Sequence, residues 1–101
     1  MIRGTTALNI FTTDKDLRDA RVYVTYSQKG RVVCEKTNED IVINEDSIAV
    51  GLEQTDTLRM SAKDPLQIQI RYVKEDGTAN ASNIITTTVD DVLKGGVIHY
   101  E

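Results

Sequence analysis

Polar and apolar residues alternate along most of this chain with a period of two, the spacing of a strand that buries one face. Ala20, Val22, Val24 and Tyr26 share one parity, while Arg21, Tyr23, Thr25 and Ser27 take the other. Leu66, Ile68, Ile70 and Tyr72 oppose Gln67, Gln69 and Arg71 in the cleanest alternation of the sequence. Opened by Pro65, that segment is expected at the centre of the core. Ile48, Val50 and Leu52 repeat the pattern on a shorter run. Residues 5–13, rich in threonine and branched side chains, put Leu8 and Ile10 on one face of an extended segment. Further strands are expected at 31–36, 41–43 and 79–89. The predicted core is Val22, Val24, Ile48, Val50, Leu66, Ile68 and Ile70.

Turn chemistry separates these runs. Gln28-Lys29-Gly30-Arg31 places a glycine where a tight reversal requires positive φ, and Asp76-Gly77 is a strong hairpin signal. Thr37-Asn38-Glu39-Asp40 and Asn44-Glu45-Asp46 supply two more reversals. Residues 53–62 break the alternation. Asp56 favours a helical start there, but Thr55 is followed three residues later by Leu58 and not by an acid, so a short helix without a capping box is expected. About seven short strands with polar turns between them, plus this helical turn, predict an all-β, immunoglobulin-like antiparallel β-sandwich. The tryptophan and cysteine pair of antibody domains are absent, so the likeness is architectural. One domain is expected over residues 1–101, with 1–4 and 95–101 as candidate terminal arms. The tail, Gly95-Gly96 followed by Val97-Ile98-His99-Tyr100, reads equally as a last strand, an arm for a partner or a frayed end.

Composition bears on function more than on fold. Sixteen acidic residues against twelve basic ones give a net charge of -4, the wrong sign for gripping phosphates, so no nucleic acid is expected as a partner. No apolar run exceeds three residues, and the first residues lack the apolar stretch of a signal peptide. No membrane is therefore expected, and synthesis in a cytoplasm is. Cys34 is the single cysteine, which excludes an intrachain disulfide and suits a small buried hydrophobe. His99 is the single histidine, and no serine or cysteine beside it forms a nucleophile motif. Asp14, Asp16 and Asp19 mimic the start of a calcium loop, yet Asp19 stands where that loop needs glycine and Thr25 where it needs glutamate. No catalytic residue, cofactor, metal or small-molecule substrate is expected.

Certain stretches resemble a known group of proteins. They are Met1-Ile2-Arg3-Gly4-Thr5-Thr6, Val22-Tyr23-Val24-Thr25-Tyr26-Ser27-Gln28 with Gly30, Val32-Val33 and Glu35-Lys36. Leu52-Glu53-Gln54-Thr55-Asp56-Thr57-Leu58, Gln67-Ile68-Gln69-Ile70-Arg71 and Ala79-Asn80-Ala81-Ser82-Asn83-Ile84-Ile85 continue them. Together they resemble small virion-associated proteins of phages and prophages of Gram-positive (Firmicutes) bacteria over nearly the whole chain. More loosely, the strand order, the Gln54-Thr55-Asp56-Thr57-Leu58 turn and the Asp76-Gly77 reversal are similar to the N-terminal domain of siphophage upper baseplate proteins. This resemblance implies a non-enzymatic virion component, either of the tail or baseplate or decorating the capsid or connector. Such a component contacts other virion proteins and copies of itself. The competing expectation is an early-expressed soluble module that binds and modulates a host protein, with which an acidic surface is compatible. Residues 5–13 and 80–89 carry neither charge nor proline and would make weakly guarded sheet edges. Thr5, Thr6 and Asn9 on the first of these, the polar stripe of Gln67, Gln69 and Arg71, and Val97, Ile98 and Tyr100 in the tail are the expected interface residues.

Overall fold

The alternating runs become strands of two antiparallel sheets in the computed structural model, which describes residues 1–100. One sheet has three strands, in the order β1 (Ala7–Thr12), β5 (Ser47–Leu52), β4 (Ile41–Ile43). The other runs from β3 (Arg31–Thr37) through β2 (Arg21–Gln28) to β6 (Leu66–Val73), whose far edge carries both β7 (Ala79–Ala81) and β8 (Ile85–Thr87). The result is an all-β, immunoglobulin-like sandwich. A short helix, α1 (Gln54–Leu58), leads from the smaller sheet towards β6.

The core forms where the apolar parities of the two sheets meet. Val22, Val24 and Tyr26 of β2, Ile48, Val50 and Leu52 of β5, and Leu66, Ile68 and Ile70 of β6 are all buried, together with Cys34, Met60 and Val89. All of the expected core residues are among them. β2 and β6 pair over seven residues, from Arg21 opposite Val73 to Ser27 opposite Gln67, so the two strongest alternations stack side by side in the middle of the larger sheet. Tyr26 is fully enclosed, and its hydroxyl donates to Asn9 Oδ1 at 2.8 Å across the sandwich. Burial raises its phenol well above the usual value, with Cys34 and the Asp56 charge adding to the effect.

Side-chain amides finish several main-chain ladders. Buried Gln28 donates to the carbonyls of Ser61 (2.7 Å) and Asp64 (3.0 Å) and accepts the Ser61 N–H (2.8 Å), which bolts the loop before β6 to the end of β2. Asn38 does the same at the other end, accepting from the Val22 N–H (2.7 Å) and donating to the Ala20 carbonyl (2.8 Å). The β2–β3 reversal is two residues long, and Lys29 (φ 51) and Gly30 (φ 74) both take positive φ, the twist that matches flanking strands.

Three expectations need correction. Residues 79–89 form two strands, not one, which brings the described residues to eight strands. At the break Ser82 Oγ accepts the Ile70 N–H at 3.0 Å, a side chain standing where a strand partner would be. The helix does carry the reciprocal bond of a capping box: Asp56 Oδ2 accepts the Glu53 N–H at 2.9 Å, two residues earlier than the Thr55–Leu58 spacing considered above. Residues 1–4 are no arm. Ile2 makes a parallel bridge with Asp90, and Arg3 donates to the carbonyls of Met60 (2.7 Å) and Leu58 (3.0 Å) and to Asp91 (2.8 Å), tying the helix end to the last strand region. The charged connection 14–19 is anchored by Leu17, which is buried.

Candidate interaction surface

Edges, not clefts, are the distinctive feature of this surface. β3 is an edge, but Arg31, Glu35 and Lys36 lie along it and a bulge at Val33 breaks its register with β2. β4 has three residues, followed closely by Asn44, Glu45 and Asp46. The β7–β8 edge is split at residues 82–84. Charge, shortness and bulging are the devices that keep edges from pairing with other chains.

β1 has none of them. It pairs with β5 over six consecutive residues, from Ala7 opposite Leu52 to Thr12 opposite Ser47, with no shift in register. The Thr13 N–H bonds the Asp46 carbonyl at 2.8 Å, which extends the ladder and fixes its phase. Odd-numbered residues therefore bond to β5, and the main-chain groups of Leu8, Ile10 and Thr12 point away from it, towards the open edge. Leu8 and Ile10 are 67% and 65% exposed. Their face continues across the sheet, because Ile10 lies opposite Ala49 and Ala49 opposite exposed Val42, while Leu8 lies opposite Gly51. Ala7, Asn9 and Phe11 point inward but remain half-buried, since no strand flanks them.

The expected interface residues fall in three separate places. Thr5 and Thr6 are exposed at the start of β1, where the Thr5 carbonyl accepts from Thr57 Oγ1 at 2.8 Å. Asn9 is turned inward to Tyr26, so Leu8 and Ile10 present the outer face of that strand. Gln67 and Arg71 are exposed on the outer face of the larger sheet, and Gln69 donates to the Ser82 carbonyl at 3.0 Å. Val97, Ile98 and Tyr100 are all exposed, Tyr100 fully. Ile98 is nevertheless held by Gln54, whose Oε1 accepts the Ile98 N–H (2.8 Å) and whose Nε2 donates to the Ile98 carbonyl (3.0 Å). Glu101, the end of the expected 95–101 arm, lies outside the described residues. Sequence reasoning missed Leu8 and Ile10 as surface residues because both faces of β1 are apolar. It missed Gln54 because nothing local marks an amide that acts 44 residues away.

The buried charge cluster around Asp56 is structural in geometry. Asp56 accepts from Lys36 Nζ (3.0 Å) and Arg59 Nη2 (2.6 Å) as well as from the Glu53 N–H. Burial opposes its charge, but these donors outweigh burial and lower its carboxyl from the ordinary value. Cys34 beside it is shifted the other way, first by burial and then by the Asp56 charge, which keeps the thiol protonated and unreactive. Among the described residues no three His, Cys, Asp or Glu side chains are placed to hold a metal ion. No helix among them is long and apolar enough to cross a membrane.

No family model and no curated protein matches the chain. Among solved structures it is similar to the V domain of amphioxus IgVJ-C2, at 8% identity, over 88% of this chain and 96% of that one, with a TM-score of 0.39.

Proposed function

We propose that this protein is a non-enzymatic structural component of a phage particle, part of the tail or baseplate or a decoration of the capsid or connector. It works through contacts with other virion proteins and with copies of itself. The observation that carries the contact role is β1, a regular, uncharged edge with unpaired main-chain groups and exposed Leu8 and Ile10. An edge of this kind is a ready template for another chain. The virion setting rests on the resemblance of the whole chain to small phage and prophage proteins.

Mass spectrometry of purified particles tests the setting. The expected result is this chain at a fixed stoichiometry, with late expression. Its absence from intact particles, with early expression in modest amount, would favour the module that binds a host protein.

A further inference from the structure

The sequence of the open edge reads almost the same in both directions. Thr5-Thr6-Ala7-Leu8-Asn9-Ile10-Phe11-Thr12-Thr13 has two threonines at each end, two apolar residues inside each pair and Asn9 at the centre. From the palindrome and its place in the fold, we infer that two copies of this chain pair β1 against β1 in antiparallel fashion, with the two-fold axis at Asn9. The inference gives the protein–protein reading above a specific partner and depends on it only for biological setting.

Two geometric facts support that register. The free main-chain groups of β1 belong to Leu8, Ile10 and Thr12, so an antiparallel partner must place even-numbered residues opposite even-numbered ones. Pairing about Asn9 meets this condition, setting Leu8 opposite Ile10 of the second copy and Thr6 opposite Thr12. On the inner face it sets half-buried Ala7 opposite Phe11, covering side chains that the isolated domain leaves partly open. Moving the axis to Ile10 also satisfies the main chain, but it puts Leu8 opposite Thr12 and Asn9 opposite Phe11, polar against apolar on both faces.

The centre and the flanks fit as well. Asn9 Oδ1 is taken by the Tyr26 hydroxyl, while among the described residues its Nδ2 donates to no group. At a non-hydrogen-bonded antiparallel position the two Asn9 side chains come close together. No charge lies between Thr5 and Thr13, so two acidic molecules meet here without placing like charges opposite each other. The two three-stranded sheets then join into one six-stranded sheet, whose outer face unites the Leu8 and Ile10 rows. A single strand pair is smaller than a standard interface, so the dimer should dissociate on dilution.

Sedimentation equilibrium over a concentration series, with three chains, tests the inference. The wild type should shift from monomer to dimer. L8K/I10K, which sets lysine opposite lysine twice, should raise the dissociation constant by at least about tenfold. L8K/I10E, which sets lysine opposite glutamate in this register alone, should recover most of the loss. Both positions are largely exposed, and circular dichroism melts check that the variants fold. Independently, the Leu8, Ile10 and Thr12 amides of the wild type should gain hydrogen-exchange protection as concentration rises. A wild type still monomeric at about 1 mM, a dimer indifferent to L8K/I10K, or no recovery in L8K/I10E would each overturn the inference. None of these results alters the particle test.

Discussion

Gln54 holds Ile98 as a neighbouring strand would, its amide bonded to both the N–H (2.8 Å) and the carbonyl (3.0 Å) of that residue. The same device recurs where Asn38 brackets the start of β2 and where Gln28 locks the loop before β6. A terminal amide carries a donor and an acceptor side by side, so one side chain satisfies two main-chain groups that lack a ladder partner. For the C-terminal segment this pair of bonds is the only hydrogen-bonded link to the domain among residues 93–100.

Gln54→Ala should therefore free the tail without loosening the sandwich. Trypsin should cut after Lys94 several-fold faster, and the Ile98 amide should lose its exchange protection. The global unfolding free energy should change by no more than about 1 kcal/mol, since exposed hydrogen bonds contribute little net stability. A large drop in the melt would mean that the tail belongs to the folded core.

Asp56 should set the acid limb of stability. Its carboxyl lies below the ordinary 3.8, burial notwithstanding, because the Glu53 N–H, Lys36 and Arg59 favour the anion. A carboxyl lowered by folding contributes stability that is complete above the unfolded value and is lost as pH falls through the folded one. Stability should accordingly decline below pH 3.8, and Asp56→Asn should flatten that part of the decline. At neutral pH Asp56→Ala should cost about 2 to 4 kcal/mol, less than a fully enclosed pair because Arg59 is largely in water. Urea melts across the pH range measure both effects.

Ile68→Ala should destabilise the domain by about 2 to 5 kcal/mol, the range for large-to-small changes in a packed core. Ile68 is 4% exposed and sits opposite fully buried Tyr26 in the β2–β6 ladder. A denaturant midpoint close to wild type would show that the sandwich interior is loosely packed at that point.

Lys29 offers the opposite sign. It takes φ 51 in the two-residue β2–β3 turn, a conformation that asparagine tolerates far better than lysine. Lys29→Asn gives up only an ion pair to Asp64 in which Lys29 is mostly exposed, and such pairs are worth little. A gain of about 0.5 to 1 kcal/mol is expected, read as a higher denaturant midpoint at unchanged slope.

Sequence by itself determined the strands that have one apolar face. In β2, β5 and β6 one parity is far more apolar than the other, so the hydrophobic effect favours a single choice of which side meets the other sheet, and Val22, Val24, Ile48, Val50, Leu66, Ile68 and Ile70 are buried there. The Lys29-Gly30 and Asp76-Gly77 reversals were legible for a similar reason, because positive φ selects few residues. β1 offered no such asymmetry: Ala7 and Phe11 on one parity and Leu8 and Ile10 on the other are all apolar, and only its position beside β5 decided that Leu8 and Ile10 face outward. The Thr5–Thr13 palindrome was likewise present in the chain from the start. It acquired a meaning only when the sheet order left β1 without a neighbour, since a strand's outward main-chain groups are free or paired according to what lies beside it. The Ser82 break, the Gln54–Ile98 clasp and the Arg3 link to Leu58, Met60 and Asp91 belong to tertiary structure for the same physical reason. Each is a polar side chain reaching a main-chain or carboxylate group far along the chain, and its partner exists only once the sheets have closed.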